Sequence, residues 1–160
     1  MAANVGEFTV SIYFTFEVEG MDFGQFTRME GFSITNDHEI RQTASQGEFM
    51  HVFPGRIRYS NLKLSRPLSP LSKKFISWMH SIGGNMGRVG VLKALNPDQS
   101  ELVAWSLEGV LPVSWTGPNY DISSPEVAME TLEFAYRGIL PMGAEVGAGV
   151  SQSNSVLPSL

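Results

Sequence analysis

Three histidines, His38, His51 and His80, are the first candidates for metal or acid–base chemistry in this chain of 160 residues. A histidine metal site needs further ligands at short spacing, such as a second ligand two or four residues along the chain. None of the three has such a partner, and the chain contains no cysteine, which also excludes thiolate sites and disulfides. We therefore interpret them as surface or packing residues and predict neither a metal site nor another cofactor.

Two other patterns could suggest catalysis. Glu126, Glu130 and Glu133 could form an acid–base cluster, but on a strand Glu126 and Glu130 share one face and Glu133 lies on the other. We expect them to be solvated or salt-bridged. The glycine-rich segment 83–90 lacks the Gly-Lys-Ser/Thr ending of a phosphate-binding loop and follows a predicted helix, which indicates a helix-terminating loop. With no Gly-x-Ser-x-Gly motif either, the sequence predicts no catalytic site and disfavours a hydrolase or isomerase.

The overall composition is that of a globular domain with an unusually uncharged surface. Hydrophobic residues make up 42% of the chain and charged residues only 17%, a deficit that favours burial against other copies. The net charge is −5 and no Lys/Arg cluster is present, so we interpret Trp78, Trp105 and Trp115 as core or interface anchors instead of base-stacking residues. We expect no signal peptide and no membrane-spanning segment.

The strongest structural pattern lies in residues 8–19. Apolar side chains occupy every second position there: Phe8, Val10, Ile12, Phe14, Phe16 and Val18. A period of two predicts one strand with an apolar face, and at ~3.4 Å per residue the strand is about 40 Å long. Because a compact domain of this size has little use for so long a strand, the pattern indicates a building block of an assembly.

The rest of the chain is predicted to be β-rich with one helix. After a turn at Met21–Asp22, alternation predicts strands over 25–35 (with a bulge at Gly31), 38–43, 48–53, 56–65, 88–95 and 101–111. Pro54–Gly55 is expected to form a turn, and 112–118 a rigid connection. Residues 126–137 could begin a helix at Ser124–Pro125, but their alternation favours a strand.

The helix is marked by its ends and its spacing. Ser69 can cap it, Pro70 suits its first position, and Gly83–Gly84 ends it. The buried stripe is predicted to contain Leu71, Phe75, Trp78 and Ile82. From Gly143 the composition changes to Gly, Ala, Ser and Val, so we divide the chain into a β domain over 1–142 and a flexible tail over 143–160.

The hairpin over 38–53 is the candidate contact between subunits. Edge strands of monomers are usually protected by lysine, proline or bulges. The second strand of this hairpin has large apolar residues at four of six positions and no lysine: Glu48, Phe49, Met50, His51, Val52 and Phe53. We hypothesise that these six residues make inter-subunit or inter-ring contacts. The alternative is an ordinary hairpin folded on its own core.

The order of these motifs resembles the tail tube protein of contractile-tailed phages and the inner tube protein of extracellular contractile injection systems. The resemblance is carried by the aromatic strand with GMDFGQFTRMEGF (20–32), then PGRIRYSNLKLSRPLS (54–69) and FISWM (75–79). It continues through AWSLEGVLPVSWTGP (104–118) and EVAMETLEFAYRG (126–138). The closing Tyr136-Arg137-Gly138 departs from the family's frequent His-Glu-Gly, and the tail after Gly143 has no counterpart.

The resemblance implies a fold and a function. The fold is two packed antiparallel sheets forming a barrel-like sandwich with one flanking helix. The function is structural: six subunits form a ring, and rings stack into a hollow tube with cargo or DNA in the lumen. Implied partners are a sheath, a baseplate and tube-initiator proteins. Such a protein is made in the bacterial cytoplasm without a signal peptide and joins a phage virion or injection particle.

A monomeric small-ligand-binding β-barrel of lipocalin type is the alternative that the residues leave open. That class strings hairpins around a calyx and often carries a secretion signal. The predicted helix in the middle of this chain and the expected absence of a signal disfavour it.

Overall fold

The structure, a computed structural model, describes residues 12–42, 50–83 and 87–142. Within these ranges the strands are β1 (Tyr13–Val18), β2 (Met21–Phe26), β3 (Arg28–Glu30), β4 (Ile34–Gln42), β5 (Met50–Tyr59), β6 (Leu62–Pro67), β7 (Arg88–Leu95), β8 (Glu101–Thr116), β9 (Met129–Ala135) and β10 (Gly138–Pro141). The helix α1 spans Ser72–His80. The predicted tail over 143–160 lies outside the described residues.

Two antiparallel sheets share the long strand β8. Its first part pairs with β7 and β10, and β1 and β2 continue that sheet beyond β7. From Leu111 onward β8 pairs with β9, which leads through β6 to β3. The end strands β2 and β3 are joined through Thr27 and are not neighbours in the hydrogen-bonded strand order. The predicted sandwich of two packed sheets with one helix is confirmed, and the barrel is not closed.

Aromatic side chains fill the space between the sheets. The ring of Phe134 lies 4.7 Å from that of Phe16 and 5.1 Å from that of Phe75, both nearly edge to face. Phe23 and Phe134 are also in contact, at 5.8 Å. Such pairs each contribute about 0.5–1.5 kcal/mol beyond the area they bury. The alternation of apolar residues in β1, β6 and β9 supplies this core, because every second side chain points inward.

The first hairpin turns on two residues with left-handed backbone. Val18 pairs with Met21, so the loop contains only Glu19 (φ 43°) and Gly20 (φ 80°). Two positive φ values give the turn type that matches the twist of the flanking strands. The turn predicted at Met21–Asp22 is therefore wrong, because β2 already begins at Met21.

Three of the predicted strands are shorter than expected or divided. The first strand is six residues long and excludes Ile12; the predicted part over 8–11 lies outside the described residues. The predicted strand over 25–35 is divided among β2, β3 and β4, since the chain leaves its sheet at Gly31 (φ 76°) without a bulge. The predicted strand over 56–65 breaks at Ser60–Asn61 into β5 and β6. β10 was not predicted.

Two prolines predicted to interrupt strands lie within them. Pro54 is part of β5, opposite a register shift between Asn36 and His38 of β4. Pro112 is part of β8, where the strand changes partner from β7 to β9 and its register shifts. A proline cannot donate to a ladder, and at both places the ladder is already irregular. The strands over 88–95 and at the core of 126–137 are confirmed.

The helix is confirmed but begins later than predicted. Residues 69–74 first form a turn with three-residue hydrogen bonds, for example from Lys73 N to the Pro70 carbonyl oxygen at 3.3 Å. Ser69 Oγ accepts the Leu71 N–H at 3.3 Å, one turn before the helix proper. Phe75 and Trp78 are buried as predicted, whereas Leu71 is half-buried and Ile82 is exposed.

Candidate assembly surface

The β4–β5 hairpin forms a separate two-stranded sheet whose side chains face solvent. Its large apolar residues are half to two-thirds exposed: Ile34, Ile40, Met50, Val52, Phe53 and Ile57. Val52 lies opposite Ile40 and Phe53 opposite Glu39, so apolar groups occur on both faces. An isolated two-stranded hairpin is at best marginally stable in water. A ribbon of this length with apolar groups on both faces is therefore the candidate assembly surface of the domain.

The base of the hairpin is fixed to the body by aromatic contacts. The Tyr59 ring lies 5.6 Å from that of Tyr136, and Phe32 lies 5.2 Å from Trp105. Ser33 Oγ donates to Ser60 Oγ at 2.9 Å beside these rings. The attachment orients the hairpin relative to the sandwich.

Charged residues of the hairpin largely pair with one another. Arg58 Nε lies 2.7 Å from Asp37 Oδ2, and Arg41 Nε lies 3.0 Å from Glu39 Oε1. Exposed pairs like these stabilise a protein by about 1 kcal/mol or less. Their main effect here is to neutralise charge on the ribbon. The guanidinium of Arg41 also lies 5.8 Å from the Phe53 ring.

A buried ion pair joins β6 to β9. Arg66 Nε donates to Glu130 Oε1 at 2.8 Å, and the two side chains are 4% and 0% exposed. Arg66 Nη1 also donates to the Phe23 carbonyl oxygen. The second carboxylate oxygen of Glu130 accepts the Ser72 hydroxyl and, at 3.2 Å, the indole N–H of Trp115. The sequence interpretation of Glu130 as salt-bridged holds, and the solvated alternative is wrong.

This network joins five elements, namely β2, β6, α1, β8 and β9. The Arg66 guanidinium also lies 4.6 Å from the Phe26 ring. The close packing around Arg66 requires a glycine at position 24. A Cβ added to Gly24 would lie 2.7 Å from Leu71 Cδ1 and 3.3 Å from Arg66 Nη1, and the backbone φ of Gly24 is +80°. The network therefore fixes the start of the helix against both sheets.

Acid is expected to weaken the domain through Glu130. Burial, the largest single influence, raises the pKa of this carboxyl, but the hydrogen bonds from Ser72, Arg66 and Trp115 together hold the pKa below its ordinary 4.5. A carboxylate with a depressed folded pKa adds stability above its unfolded pKa, and this is lost as pH falls through the folded pKa. We expect the free energy of unfolding in urea to be steady near neutral pH and to fall below pH 4.5.

Glu130→Gln tests the origin of that pH dependence. The pKa values of Asp98, Asp121 and Glu133 are also lowered, by hydrogen bonds chiefly from Ser100, Ser123 and Asn61 respectively. In Glu130→Gln, the decrease in the free energy of unfolding in acid should be only the part that these three carboxyls cause. An acid dependence as steep as that of the native chain would show that Glu130 contributes nothing to it.

The structure does not bring the candidate catalytic residues together. Glu126 and the histidines His38, His51 and His80 are exposed, and Glu133 accepts bonds from Asn61 and Ser114 on the opposite side of β9 from Glu130. In the described ranges, no group of three His, Asp or Glu side chains is arranged to hold a metal. Of the six predicted contact residues, Met50, His51, Val52 and Phe53 are exposed on β5, and Glu48 and Phe49 lie outside the described residues.

Several solved structures are similar to this chain in fold. A chain of the PVC sheath–tube complex of an extracellular contractile injection system has a TM-score of 0.71 at 18% identity, covering 88% of this chain and 98% of that one. A chain of the anti-feeding prophage baseplate has a TM-score of 0.67 at 21% identity, with 91% and 100% covered. Hcp1 from Salmonella typhimurium gives 0.52 at 11% identity, with 82% and 93% covered. At these identities the likeness establishes the fold, which is that of the tail tube class.

The sequence itself identifies the family. No curated protein matches the chain significantly. Residues 10–140 match the family described as T4-like virus tail tube protein gp19, and the chain belongs to that family. It is therefore a structural tail tube subunit, a component of a phage tail or of a contractile injection system. Among the described residues, no helix has the length and apolarity required to span a membrane.

Proposed function

We propose that this subunit forms six-membered rings that stack into a hollow inner tube, with cargo or DNA in the lumen. The tube lies inside a sheath and stands on a baseplate and its initiator proteins. The observation that carries the proposal is the β4–β5 hairpin, which presents apolar side chains on both faces. Similar chains occur in a sheath–tube complex, a tube terminator and a baseplate, which supports these partners.

The hairpin is the proposed contact between subunits or rings, through Glu48, Phe49, Met50, His51, Val52 and Phe53. A ring requires that one surface of a subunit meets a different surface of its neighbour. A projecting ribbon and the body of the next subunit meet this requirement. Burying exposed apolar side chains gains about 25 cal/mol per Å², so a ribbon with this composition favours assembly.

The packing of the sandwich argues against the ligand-binding barrel. The side chains of Phe16, Phe23, Phe75 and Phe134 are fully buried between the sheets and contact one another. A small-molecule pocket is typically a cavity of a few hundred Å³. The core of the domain occupies the space where a lipocalin-type barrel has its ligand cavity.

Electron microscopy and native mass measurement of the purified full-length chain test the proposal. We expect sixfold rings or rods with a central channel, and a mass of six subunits for the smallest closed species. A chain that stays folded and monomeric at every concentration, and is missing from any purified contractile particle, would falsify the tube function.

A further inference from the structure

A basic groove lies beside the helix. It has a volume of about 530 Å³, and the described residues that line it include Met21, Trp78 and three cations, Lys73, Lys74 and Arg88, but no carboxylate. The two lysines are exposed and make no ion pair within the described part of the chain. Arg88 lies 5.5 Å from the Trp78 ring, and its ion pair with Glu19 is long, at 3.7 Å. In a chain of net charge −5, this groove suits an acidic ligand with an apolar anchor.

A loop with the opposite chemistry connects β8 to β9. The 117–128 loop contains two charges, Asp121 and Glu126, and no cation. Its side chains Tyr120 and Ile122 are 78% and 90% exposed, and Val127 is 67% exposed. Large apolar groups this exposed beside unneutralised carboxylates are the features expected of a segment that inserts into a partner.

The shape of the loop is set by its own turn. Asp121 Oδ1 accepts the Ser123 N–H at 2.9 Å and the Ser123 hydroxyl at 2.5 Å. Ser124 N donates to the Asp121 carbonyl oxygen at 3.0 Å, which continues the turn. These local bonds fix the turn over 121–124 while the neighbouring Tyr120 and Ile122 side chains face solvent, so the turn itself needs no partner to form.

We propose that the 117–128 loop of one subunit binds in the basic groove of a second copy of this chain. The two surfaces have opposite charge, each includes apolar side chains, and both are open in the same subunit. Their pairing is a contact between different surfaces, the kind that closes a ring or stacks rings. Nucleic acid fits less well, since its binding relies on neutralising many phosphates with Lys and Arg side chains, and the groove offers three cations.

Charge exchange tests this contact, which rests on the proposed tube function. The groove variant is Lys73→Glu/Lys74→Glu. The loop variant is Asp121→Asn/Glu126→Lys, in which the amide oxygen of Asn can still accept the Ser123 bonds. A control, Lys63→Glu/Lys93→Glu, makes the same charge change outside the groove. Sedimentation velocity and electron microscopy of each full-length protein measure assembly, and circular dichroism confirms folding.

Each variant alone is expected to raise the dissociation constant of assembly at least tenfold, because like charges then oppose each other across the contact. Mixing the two variants in equal amounts should restore assembly. When the two variants alternate around a ring with an even number of subunits, each altered groove receives an altered loop. The control should assemble as the native chain does.

Two outcomes would overturn the pairing. The first is native-like assembly by both variants. The second is failure of the equimolar mixture to assemble, although both variants are folded. In either case, assembly of the native chain still supports the tube function. A native chain that never assembles would contradict the tube function itself.

Discussion

Replacing Arg66 with Met is expected to lower the free energy of unfolding by about 3–5 kcal/mol, the largest stability change that we expect from a single substitution in this domain. The change leaves the Glu130 carboxylate fully buried without its cation. It also leaves the Phe23 carbonyl oxygen without the Arg66 donor. Removing one partner of a buried pair is costly, because the charge that remains has lost its water and its counter-ion.

A second variant separates loss of the pair from loss of volume. In Arg66→Met/Glu130→Gln the uncompensated charge is gone, and the Gln oxygen can still accept from Ser72 and Trp115. We expect this double variant to recover most of the lost stability. Lys63→Met, on the same strand but exposed, should change stability by no more than about 0.5 kcal/mol. Urea unfolding followed by tryptophan fluorescence at one protein concentration gives all four values.

Equal losses for the single and double variants would contradict the argument, since they would show that the size of Arg66 matters and its charge does not. The expected difference matters for assembly as well. The network anchors the start of α1 through Ser72 and the end of β8 through Trp115. The Arg66–Glu130 network therefore holds in place both the basic groove beside α1 and the 117–128 loop after β8.

Much of the core could be predicted from alternation alone. Phe16, Val18, Leu132 and Phe134 are buried where a period of two places them. Local pattern succeeds here because one face of each strand is covered by the other sheet. The ends of the strands were less predictable, because Pro54 and Pro112 are usually strand breakers. Both are accommodated at register shifts, which depend on the partner strand and not on the local sequence.

The buried ion pair has a signature in the sequence. Arg66 follows Leu62 and Leu64 at every second position, and Glu130 precedes Leu132 and Phe134 in the same way. Each is a single charge on an otherwise apolar face. Only the pairing of β6 with β9, which places Arg66 directly opposite Glu130, shows that the two charges compensate each other. Pairing between strands 64 residues apart is a tertiary property, so the sequence alone could not establish it.

For the hairpin, the sequence predicted the composition but not the length. Its apolar composition and lack of lysine were evident from the sequence, but its extent was not, since the turn predicted at Pro54–Gly55 would have ended it. The structure extends β5 to Tyr59, and Ile34 pairs with Tyr59 at the base. The longer ribbon adds Ile57 to the exposed apolar set. A longer projecting ribbon gives the proposed contact more area than the sequence suggested.

Val52→Asp/Phe53→Asp is expected to abolish rings and tubes while leaving the subunit folded. The two side chains are 61% and 49% exposed, so their replacement costs the isolated subunit little. In the proposed contact each aspartate must lose its hydration without a partner, a cost of several kcal/mol per contact. Six such contacts repeat around every ring of the proposed assembly, and stacking multiplies them. Electron microscopy should therefore show no rings, and sedimentation velocity should show a monomer.

The matched control keeps the shape and the strand preference of the hairpin but adds no charge. Val52→Thr/Phe53→Tyr retains a β-branched and an aromatic residue, both of which suit strands, and it should still form rings. Circular dichroism of the two variants should agree, because neither site contributes to the core. Tubes formed by the aspartate variant at native yield would show that the hairpin is not part of the interface. Because the charge-exchange variants leave the hairpin unchanged, they would then test whether the basic groove and the 117–128 loop account for assembly.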